Sequence, residues 1–342
     1  MARLRLPALS RQTRLRIERQ WLLARAIRRR RALTPVVDRT ANIRRDDILA
    51  FVTLRNERVR LPYFLDYYRK LGINHFLFVD NASDDDSGRY LSRQPDVSLW
   101  HTDVSYKRAR FGMDWINWLL WRHGHRHWCL TIDPDEFLVY PHSDTRPLGA
   151  LTSWLQAIGQ RSFPAMLLDM YPKGAIDDHP YQEGQDPFEI ACWFDPANYT
   201  IQKNRHLGNL WIQGGPRTRT FFANDPVASP ALNKIPLVRW NRRYVYVSST
   251  HALLPRGLNI VYDEDGGERP SGCLLHAKFL STFVEKSAEE LDRRQHYADS
   301  QEYRAYHHGL QSDLQLWCPE SREYRDWRQL EELGLISRGN WA

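Results

Sequence analysis

The sequence predicts an α/β fold in which helices flank a mainly parallel sheet. Short apolar runs of strand length alternate with helical segments four times over about 90 residues, an order typical of parallel strands joined by helices. Three of these runs end in clusters of polar and acidic residues. Because ligands bind at the carboxyl ends of the strands in such sheets, the same pattern predicts a binding site at one edge of the sheet.

Four continuous apolar runs predict strands that are buried on both faces. The predicted strands cover residues 48–54, 75–80, 97–101 and 128–133, and the predicted helices cover residues 60–72, 89–95 and 111–124. Pro62 is accepted in the first turn of a helix, and Gly72 and Gly124 are suited to ending one. These boundaries give the regular strand–helix alternation.

From about residue 144 onward, turn-rich segments separate shorter runs. The runs 235–240 and 244–250 alternate in hydropathy and predict antiparallel additions to the sheet. Charged segments at 283–306 and 324–336 predict helices. We therefore expect a basic N-terminal arm and linker at 1–47, a main domain at 48–282 and a helical C-terminal extension at 283–342.

The N-terminal arm carries the basic charge of the chain. Residues 1–47 contain fourteen Arg, no Lys and four acids, a net charge of +10, whereas the remaining residues sum to −3. Residues 11–31 predict a helix with Trp and Leu among the arginines, and residues 33–47 predict a linker. Such a helix is suited to an anionic membrane surface; a partly disordered tail or a helix packed on the body is the alternative. No nucleic-acid-reading module is recognisable, so no specific nucleic acid is expected as a partner.

Cysteine usage and hydropathy predict the compartment. Cys129, Cys192, Cys273 and Cys318 are far apart and form no C-x-x-C pair, which indicates reduced thiols in a cytosolic protein. No apolar run approaches the roughly 18–20 residues of a membrane span, and arginines interrupt the N-terminal segment where a signal peptide is apolar. We expect a cytoplasmic protein, with the arm as a candidate for peripheral contact with the inner membrane face.

Polar side chains follow three of the four predicted strands. They are Arg55, Asn56 and Glu57 after the first strand, Asp80 and Asn81 at the end of the second, and Asp133, Asp135 and Glu136 at the end of the fourth. Carboxylates left unpaired beside a buried strand are costly. Either an Arg or Lys side chain or a metal ion is therefore expected beside the last group.

The motifs at these strand ends resemble those of a known family. The stretch "TLRNERVRLPYFLDYYRKLGINHFLFVDNASDDDS" is followed downstream by "TIDPDEFLV". Together they resemble family 2-type glycosyltransferases with the GT-A fold, in the branch that pairs a DN-x-SxD turn with a D-x-DEF motif. Further along, "GGPRTRTFF", "NKIPLVRW", "SSTH" and "LLHAKFL" are also similar to that branch.

The resemblance implies a GT-A, Rossmann-like sheet and a glycosyltransferase of the inverting type. The implied reaction is the metal-dependent transfer of a sugar from a nucleotide-diphosphate sugar, in the first place a UDP-sugar, to a hydroxyl acceptor. The implied acceptor is a saccharide or a lipid-linked glycan in surface polysaccharide or glycan synthesis. Such a reaction releases a diphosphate, and a divalent metal stabilises the charge that develops on it.

For the metal, the resemblance implies Mn²⁺ or Mg²⁺, which carboxylate oxygens suit. Asp135 is the implied ligand, and Asp133 binds either the ribose or the metal through water. His276 is similar to the C-terminal histidine that completes metal coordination in many GT-A enzymes, with His251 as the competitor and a core histidine as the alternative. The role of Glu136 stays open between the acceptor and a basic side chain.

For the donor, the resemblance implies that Asp80 accepts a hydrogen bond from the uracil or another base. Arg55, Asn56, Glu57 and Asn81 belong to the same nucleotide-binding edge. Asp80 and Asn81 could instead cap the following helix. Gly214 and Gly215 would let a loop approach the donor sugar, and Arg217 and Arg219 could grip phosphate or an acidic acceptor, or lie on a surface strand.

The catalytic base is not assigned. The acidic pair of simpler family members is not evident, and Asp225, Asp263, Glu264 and Asp265 match no motif in that interval. This departure leaves the base and the stereochemistry of transfer undetermined. A metal-dependent phosphohydrolase and a non-catalytic glycan- or nucleotide-binding protein on the same fold are the alternative functions.

The motif "HGHRH" at 123–127 invites a zinc interpretation. It closes a predicted helix, however, where cationic side chains are favoured, and no acidic partner at helical spacing completes a tetrahedral set. The sequence therefore favours a structural role for His123, His125 and His127.

Overall fold

The computed structural model describes residues 10–262, 269–283 and 314–341. Within these ranges the helices are α1 (Arg11–Arg29), α2 (Leu61–Leu71), α3 (Ser87–Ser92), α4 (Met113–His123), α5 (Leu148–Ala157), α6 (Gly215–Phe221) and α7 (Trp327–Glu332). The strands are β1 (Thr34–Val37), β2 (Leu49–Leu54), β3 (His75–Asp80), β4 (Val97–His101), β5 (Trp128–Thr131), β6 (Glu136–Val139), β7 (Ser162–Asp169), β8 (Trp193–Phe194), β9 (Tyr199–Lys203), β10 (Leu210–Gly214), β11 (Asn233–Arg239), β12 (Val245–Ser248), β13 (Ala252–Leu254), β14 (Gly272–His276) and β15 (Arg322–Glu323).

A central sheet organises the described residues. Its nine strands lie in the order β1-β4-β3-β2-β5-β11-β7-β14-β6. Six of them, β2, β3, β4, β5, β7 and β14, run in one direction, and β1, β6 and β11 run in the other. The predicted α/β class, with a mainly parallel sheet flanked by helices, is confirmed.

The four predicted strands correspond to β2, β3, β4 and β5, with helices α2, α3 and α4 between them. Gly72 ends α2 in the left-handed conformation with a φ of 106°, which glycine adopts without a steric penalty. In this conformation its N–H donates to the carbonyls of Tyr68 and Arg69. The sequence therefore predicts both the alternation and this helix end correctly.

Side chains of the parallel strands pack into two separate clusters. In β2, Ala50 and Val52 belong to one cluster and Leu49 and Phe51 to the other. Successive side chains of a strand point to opposite faces, so the two clusters lie on opposite faces of the sheet. Burial on both faces explains why these strands are continuous apolar runs.

Both predicted antiparallel strands are present, but only the first of them joins the central sheet. β11 lies between β5 and β7 and is antiparallel to both. The second predicted run forms β12, which pairs with β13 in a separate two-stranded sheet. Insertion of β11 places the start of that strand beside the carboxyl ends of its two neighbours.

The segment 33–47, interpreted from the sequence as a linker, contributes a strand to the sheet. β1 pairs antiparallel with β4. Arg39 reinforces this contact by donating to the Val97 and Ser92 carbonyls at 3.0 Å each. Backbone pairing explains the difference, since Pro and polar residues suit a strand at the edge of a sheet as well as a loop.

The C-terminal part is less helical than predicted where it is described. α7 covers only Trp327–Glu332 of the predicted helix 324–336, and β15 precedes it. Trp327 and Trp341 pack into the main hydrophobic cluster. The predicted helix at 283–306 lies outside the described residues, apart from its first residue.

The N-terminal arm forms the predicted helix, α1, which packs on the body. Leu15 and Leu22 are buried against Val245 and Leu254. None of the helices in the described ranges has the length and apolar character needed to cross a bilayer. All four cysteines are described and free.

Candidate active site

Polar residues gather at one edge of the sheet because six strands run toward it. Asp80 ends β3, Asp169 ends β7 and His276 ends β14, while Asp133 follows β5 by two residues. β6 and β11 run in the opposite direction, so Glu136 and Lys234 lie at the start of their strands on the same edge. The convergence predicted from the first strands thus extends across the sheet.

The acidic turn connects β5 to β6. The Glu136 N–H donates to the Asp133 carbonyl at 3.1 Å, and the Asp133 N–H donates to Glu136 Oε2 at 3.2 Å. The Glu136 carbonyl also accepts from the Tyr68 hydroxyl at 2.7 Å. With Pro134 restricting the backbone between them, these bonds hold Asp133 and Asp135 in a defined turn.

Lys234 is the cationic partner expected beside this turn. Its Nζ lies 2.8 Å from Glu136 Oε1 and 3.6 Å from Asp133 Oδ2. Lys234 and Glu136 are both buried, whereas the Asp133 side chain is half exposed. Glu136 therefore folds back onto a basic side chain, which was one of the two roles left open for it.

Burial and charge have opposite effects on the pKa of each residue of this pair. Burial raises the pKa of the Glu136 carboxyl, against the opposing charge of Lys234. For Lys234, burial alone would lower the pKa, but the carboxylates of Glu136 and Asp133 raise it above its ordinary value. Lys234 therefore remains a cation under the acidic turn.

Four side chains form a second row at the same edge. Asp135 Oδ2 lies 3.3 Å from His276 Nε2, and His276 Nδ1 lies 2.7 Å from Asp169 Oδ1. Asp169 Oδ2 accepts from Arg217 Nε at 2.7 Å. Asp135 is the most exposed member, and Asp169 and Arg217 are buried, so the row runs from the surface into the interior.

The charges of this row shift the pKa values of Asp169 and His276. Burial would raise the pKa of Asp169, but Arg217 and His276 lower it to about 2, so Asp169 is ionised. Burial would lower the pKa of His276, but Asp135 and Asp169 raise it above its ordinary value. An ionised carboxylate only accepts hydrogen bonds; His276 Nδ1 is therefore a donor to Asp169, and Nε2 faces Asp135.

Asp135 and His276 have the chemistry to hold a divalent metal. A metal-bound histidine commonly donates its second ring nitrogen to a carboxylate, as His276 does to Asp169. Within the described ranges, no three His, Cys, Asp or Glu side chains are arranged to hold a metal ion. Mg²⁺ sites commonly combine one or two protein ligands with substrate phosphates, so these two residues fit an ion that arrives with a diphosphate.

A second cluster of polar residues lies at the carboxyl ends of β2 and β3. Asp80 is buried, and its Oδ1 accepts from the Ser83 N–H at 2.9 Å while its Oδ2 lies 4.0 Å from His101 Nδ1. Asn81 donates from Nδ2 to the carbonyls of Thr102 and Val104, at 3.0 and 3.1 Å. Both side chains thus stabilise the loops after β3 and β4, and neither caps α3.

The residues after β2 join this loop. Arg55 donates to the Asn81 and Ala82 carbonyls. Asn56, at a φ of 51°, accepts at Oδ1 from the Asp84 N–H at 3.0 Å. Because β2 lies between β3 and β5 in the sheet, these residues lie between Asp80 and the acidic turn.

Glu57 has a different partner. Its Oε2 lies 3.2 Å from Arg60 Nε, and Arg60 in turn donates to the Ala277 carbonyl at 2.6 Å. Ala277 directly follows His276. The pair therefore connects the end of β2 to the end of β14, beside His276.

Arg217 and Arg219 occupy different surroundings. Arg217 is part of the buried row, where it contacts Asp169 rather than solvent. Arg219 pairs with Asp195 at 2.8 and 3.0 Å. Gly214, which precedes α6, has a φ of 145°, and a Cβ there would collide with the Asn198 carbonyl oxygen. Gly214 thus serves close backbone packing in this structure.

His251, the competitor of His276, and two histidines of the "HGHRH" motif have other partners. His251 Nδ1 is 2.6 Å from the Asn233 carbonyl, and burial and the charge of Lys234 lower its pKa to about 3. His127 Nδ1 contacts the Asp47 carbonyl and His123 packs on Trp100. Of the two histidines considered for the metal, His276 is the one placed beside Asp135.

The residues considered for the catalytic base remain unassigned. Asp225 is exposed in the loop after α6. Asp263, Glu264 and Asp265 lie outside the described residues. No base is therefore proposed.

Sequence reasoning missed two members of the site, Asp169 and Lys234. Asp169 ends the apolar run "SFPAMLLD" in the same way that Asp80 ends "HFLFVD", and that signal could have identified it. Lys234 carries no such signal, since a single lysine before an apolar run is common. Its role depends on the insertion of β11 beside β5.

Comparison with known proteins adds little. No protein-family model and no curated protein matches the sequence. Among solved structures, the chain is similar to one described as a glucose-1-phosphate thymidylyltransferase from Bacillus anthracis in complex with sucrose, at 9% identity and a TM-score of 0.24. The similarity covers 40% of this chain and 65% of that chain, less than two thirds of its length. A similarity this low carries no assignment of function.

Proposed function

We propose that this chain is a metal-dependent glycosyltransferase of GT-A type, which moves a sugar from a nucleotide-diphosphate sugar, in the first place a UDP-sugar, to a hydroxyl group. The acceptor class is a saccharide or lipid-linked glycan of surface polysaccharide synthesis. The observation that carries the proposal is the pair Asp135–His276, 3.3 Å apart at the carboxyl edge of a mainly parallel sheet. The motif resemblance supports the same assignment.

Each residue has a part in the proposed site. Asp135 and His276 would hold Mn²⁺ or Mg²⁺, and Asp133, whose side chain is half exposed, would bind the ribose or the metal through water. Asp80 accepts a hydrogen bond from the base. A divalent ion held there would stabilise the charge that develops on the leaving diphosphate.

Lys234 and Arg217 are proposed to act through other residues of the site. Lys234 neutralises Glu136 and holds the acidic turn, and Arg217 neutralises Asp169, which orients His276. Arg217 is thus proposed as a positioning residue, because its Nε is already committed to Asp169 rather than to a donor phosphate.

The transfer itself exchanges one bond at the sugar. The acceptor hydroxyl oxygen bonds to the anomeric carbon, and the bond from that carbon to the diphosphate oxygen breaks. The electron pair of the broken bond leaves with the nucleoside diphosphate, and the hydroxyl proton passes to a base that is not assigned.

A thermal-shift experiment tests donor binding. UDP with Mn²⁺ is expected to raise the melting temperature of the wild type, and Asp135→Ala is expected to abolish this shift. Asp66→Ala is the matched control, because Asp66 is an exposed carboxylate on α2 paired with Lys70. If no nucleoside diphosphate with any divalent ion shifts the melting temperature, the proposal is wrong.

Product analysis separates a glycosyltransferase from a phosphohydrolase. With a panel of UDP-sugars and water as a slow acceptor, sugar transfer releases UDP and free sugar. Cleavage between the phosphates would release UMP and a sugar 1-phosphate instead. UMP as the first product would favour the phosphohydrolase.

A further inference from the structure

The outward side of helix α1 carries apolar side chains and arginines that the rest of the protein does not cover. Its buried residues, Leu15, Leu22 and Ala26, lie on one side of the helix. On the opposite side Ile17 and Trp21 are 51% and 56% exposed and lie one turn apart. Residues four apart share a helix face, so these two side chains form one exposed apolar patch.

Arginines extend this patch in both directions. Arg14 and Arg28 are exposed and continue the same face, at helical spacings from Ile17 and Trp21. We call the surface formed by Arg14, Ile17, Trp21 and Arg28 the α1 outer face. Seven of the nineteen residues of α1 are Arg and one is acidic.

The orientation of this face is fixed by buried contacts. Arg25 Nε lies 2.8 Å from Asp114 Oδ2, and the Asp114 side chain is fully buried in α4. Arg25 also donates to the Arg108 carbonyl at 2.8 Å. α1 therefore cannot turn its outer face inward without leaving a buried carboxylate with one partner fewer.

We propose that the α1 outer face docks the protein on an anionic lipid bilayer. Ile17 and Trp21 enter the boundary between headgroups and acyl chains, and Arg14 and Arg28 contact lipid phosphates. A helix that lies in this interface combines a charged surface with Trp and aliphatic side chains, and Trp is favoured at that depth.

The charge distribution favours a bilayer over other occupants. A two-fold contact between copies places the same patch of each copy against the other, which would bring the arginines of both faces together. A nucleic acid would use the arginines but would gain nothing from burying Ile17. The remainder of the chain is net negative, whereas residues 1–47 carry +10, so the excess of positive charge lies in this arm.

Vesicle co-sedimentation tests the proposal with the full chain. Binding is expected to vesicles of phosphatidylcholine with phosphatidylglycerol, to fall with added salt, and to be weak for phosphatidylcholine alone. Arg14→Gln with Arg28→Gln is expected to weaken binding about fivefold for each arginine. Ile17→Ser with Trp21→Ser is expected to weaken it roughly tenfold or more.

Two control variants match these changes elsewhere on the surface. Ile201→Ser removes an apolar side chain that is 63% exposed on β9, and Arg322→Gln with Arg325→Gln removes two exposed arginines of the C-terminal part. Both are expected to bind vesicles as the wild type does. All substitutions lie at exposed positions, and circular dichroism melting verifies that each variant is folded.

Two outcomes overturn the proposal. Unchanged vesicle binding by both α1 variants would remove the outer face from any lipid contact. A wild-type dimer in gel filtration that becomes a monomer in Ile17→Ser with Trp21→Ser would assign the face to a second copy instead. Because the assay contains no nucleotide and no metal, its result is independent of the transferase proposal.

Discussion

His276 and Asp169 form a 2.7 Å hydrogen bond between neighbouring parallel strands, β14 and β7. Since Asp169 is ionised, His276 Nδ1 donates whether the ring is charged or neutral. Only Nε2 changes its proton, and this atom faces Asp135. When the ring is charged, a proton on Nε2 joins the two residues; once that proton leaves, the Nε2 lone pair is available to a metal.

This relationship predicts opposite effects of pH on stability and on metal binding. The raised pKa of His276 means that its contribution to stability is complete below about 6.5, the ordinary value. The contribution is lost as pH rises through the folded-state pKa. Without metal, the difference in unfolding free energy between wild type and His276→Asn is expected to fall with pH, by at most about 1.4 kcal/mol per unit. Urea denaturation from pH 5.5 to 8.5 measures it.

The affinity for Mn²⁺ should rise with pH, whereas the contribution of His276 to stability falls. Metal must displace one proton from His276, so affinity is expected to rise up to about tenfold per pH unit until the ring is neutral. For the stability measurement, His251 provides a control of opposite sign. Its pKa is lowered to about 3, so its contribution to the free energy of unfolding falls as pH drops below about 6.5. A pH-independent Mn²⁺ affinity would exclude His276 as a ligand.

Arg217 and Arg219 form a matched pair of variants. Each binds an aspartate through Nε, at 2.7 and 2.8 Å, but only Arg217 contacts the carboxylate that holds His276. Arg217→Gln is expected to lower Mn²⁺ affinity about tenfold, as loss of outer partners of metal ligands commonly does. Calorimetric titration of Mn²⁺ in the presence of UDP measures this.

The Arg219→Gln variant separates positioning from general damage. It also removes an Arg–Asp ion pair, so some loss of stability is expected in both variants. Mn²⁺ affinity should stay at the wild-type value in Arg219→Gln. Equal loss of affinity in the two variants would mean that neither effect passes through Asp169.

The buried pair Glu136–Lys234 should show strong energetic coupling. Lys234→Met leaves the Glu136 carboxyl buried without its cation, and loss of one partner of a buried pair commonly costs about 3–5 kcal/mol. Glu136→Gln should be costly for the same reason. In the double variant the cost should be well below the sum of the two, as a double-mutant cycle from urea denaturation reveals. Additive losses would contradict the pairing.

Asp80 and Asn81 should separate ligand binding from loop stability. Asp80→Asn keeps the acceptor for the Ser83 N–H but removes the charge, so UDP affinity is expected to fall roughly tenfold or more with the fold retained. Asn81→Asp removes the donor to Thr102 and Val104 and is expected to cost about 1–3 kcal/mol of stability. Thermal melting and UDP titration of both variants distinguish the two roles. If Asp80→Asn lost stability and Asn81→Asp lost UDP affinity, the two assignments would have to be exchanged.

The parallel part of the fold was predictable because burial on both faces leaves a clear pattern. β2, β3 and β4 coincide closely with the predicted runs, and the polar residues that follow them had to meet at one edge. The β1 strand was missed because it is largely exposed and owes its conformation to pairing with β4 rather than to its own side chains.

The deeper part of the site was less predictable because it depends on strand order. Asp169 and His276 are 107 residues apart in the chain and become neighbours only when β14 pairs with β7. Hydropathy patterns locate strands but do not specify which of them lie side by side. Lys234 is a similar case, since it reaches Glu136 through the insertion of β11.

The short strand β1 also limits how the N-terminal arm can be studied. It covers the outer side of β4, whose backbone would otherwise offer unpaired N–H and C=O groups to another chain. A chain cut back to residue 48 would lose α1 and this cover together, and the bared strand would be a site for sheet-to-sheet self-association. Point substitutions on α1 therefore report on the arm more cleanly than its removal does.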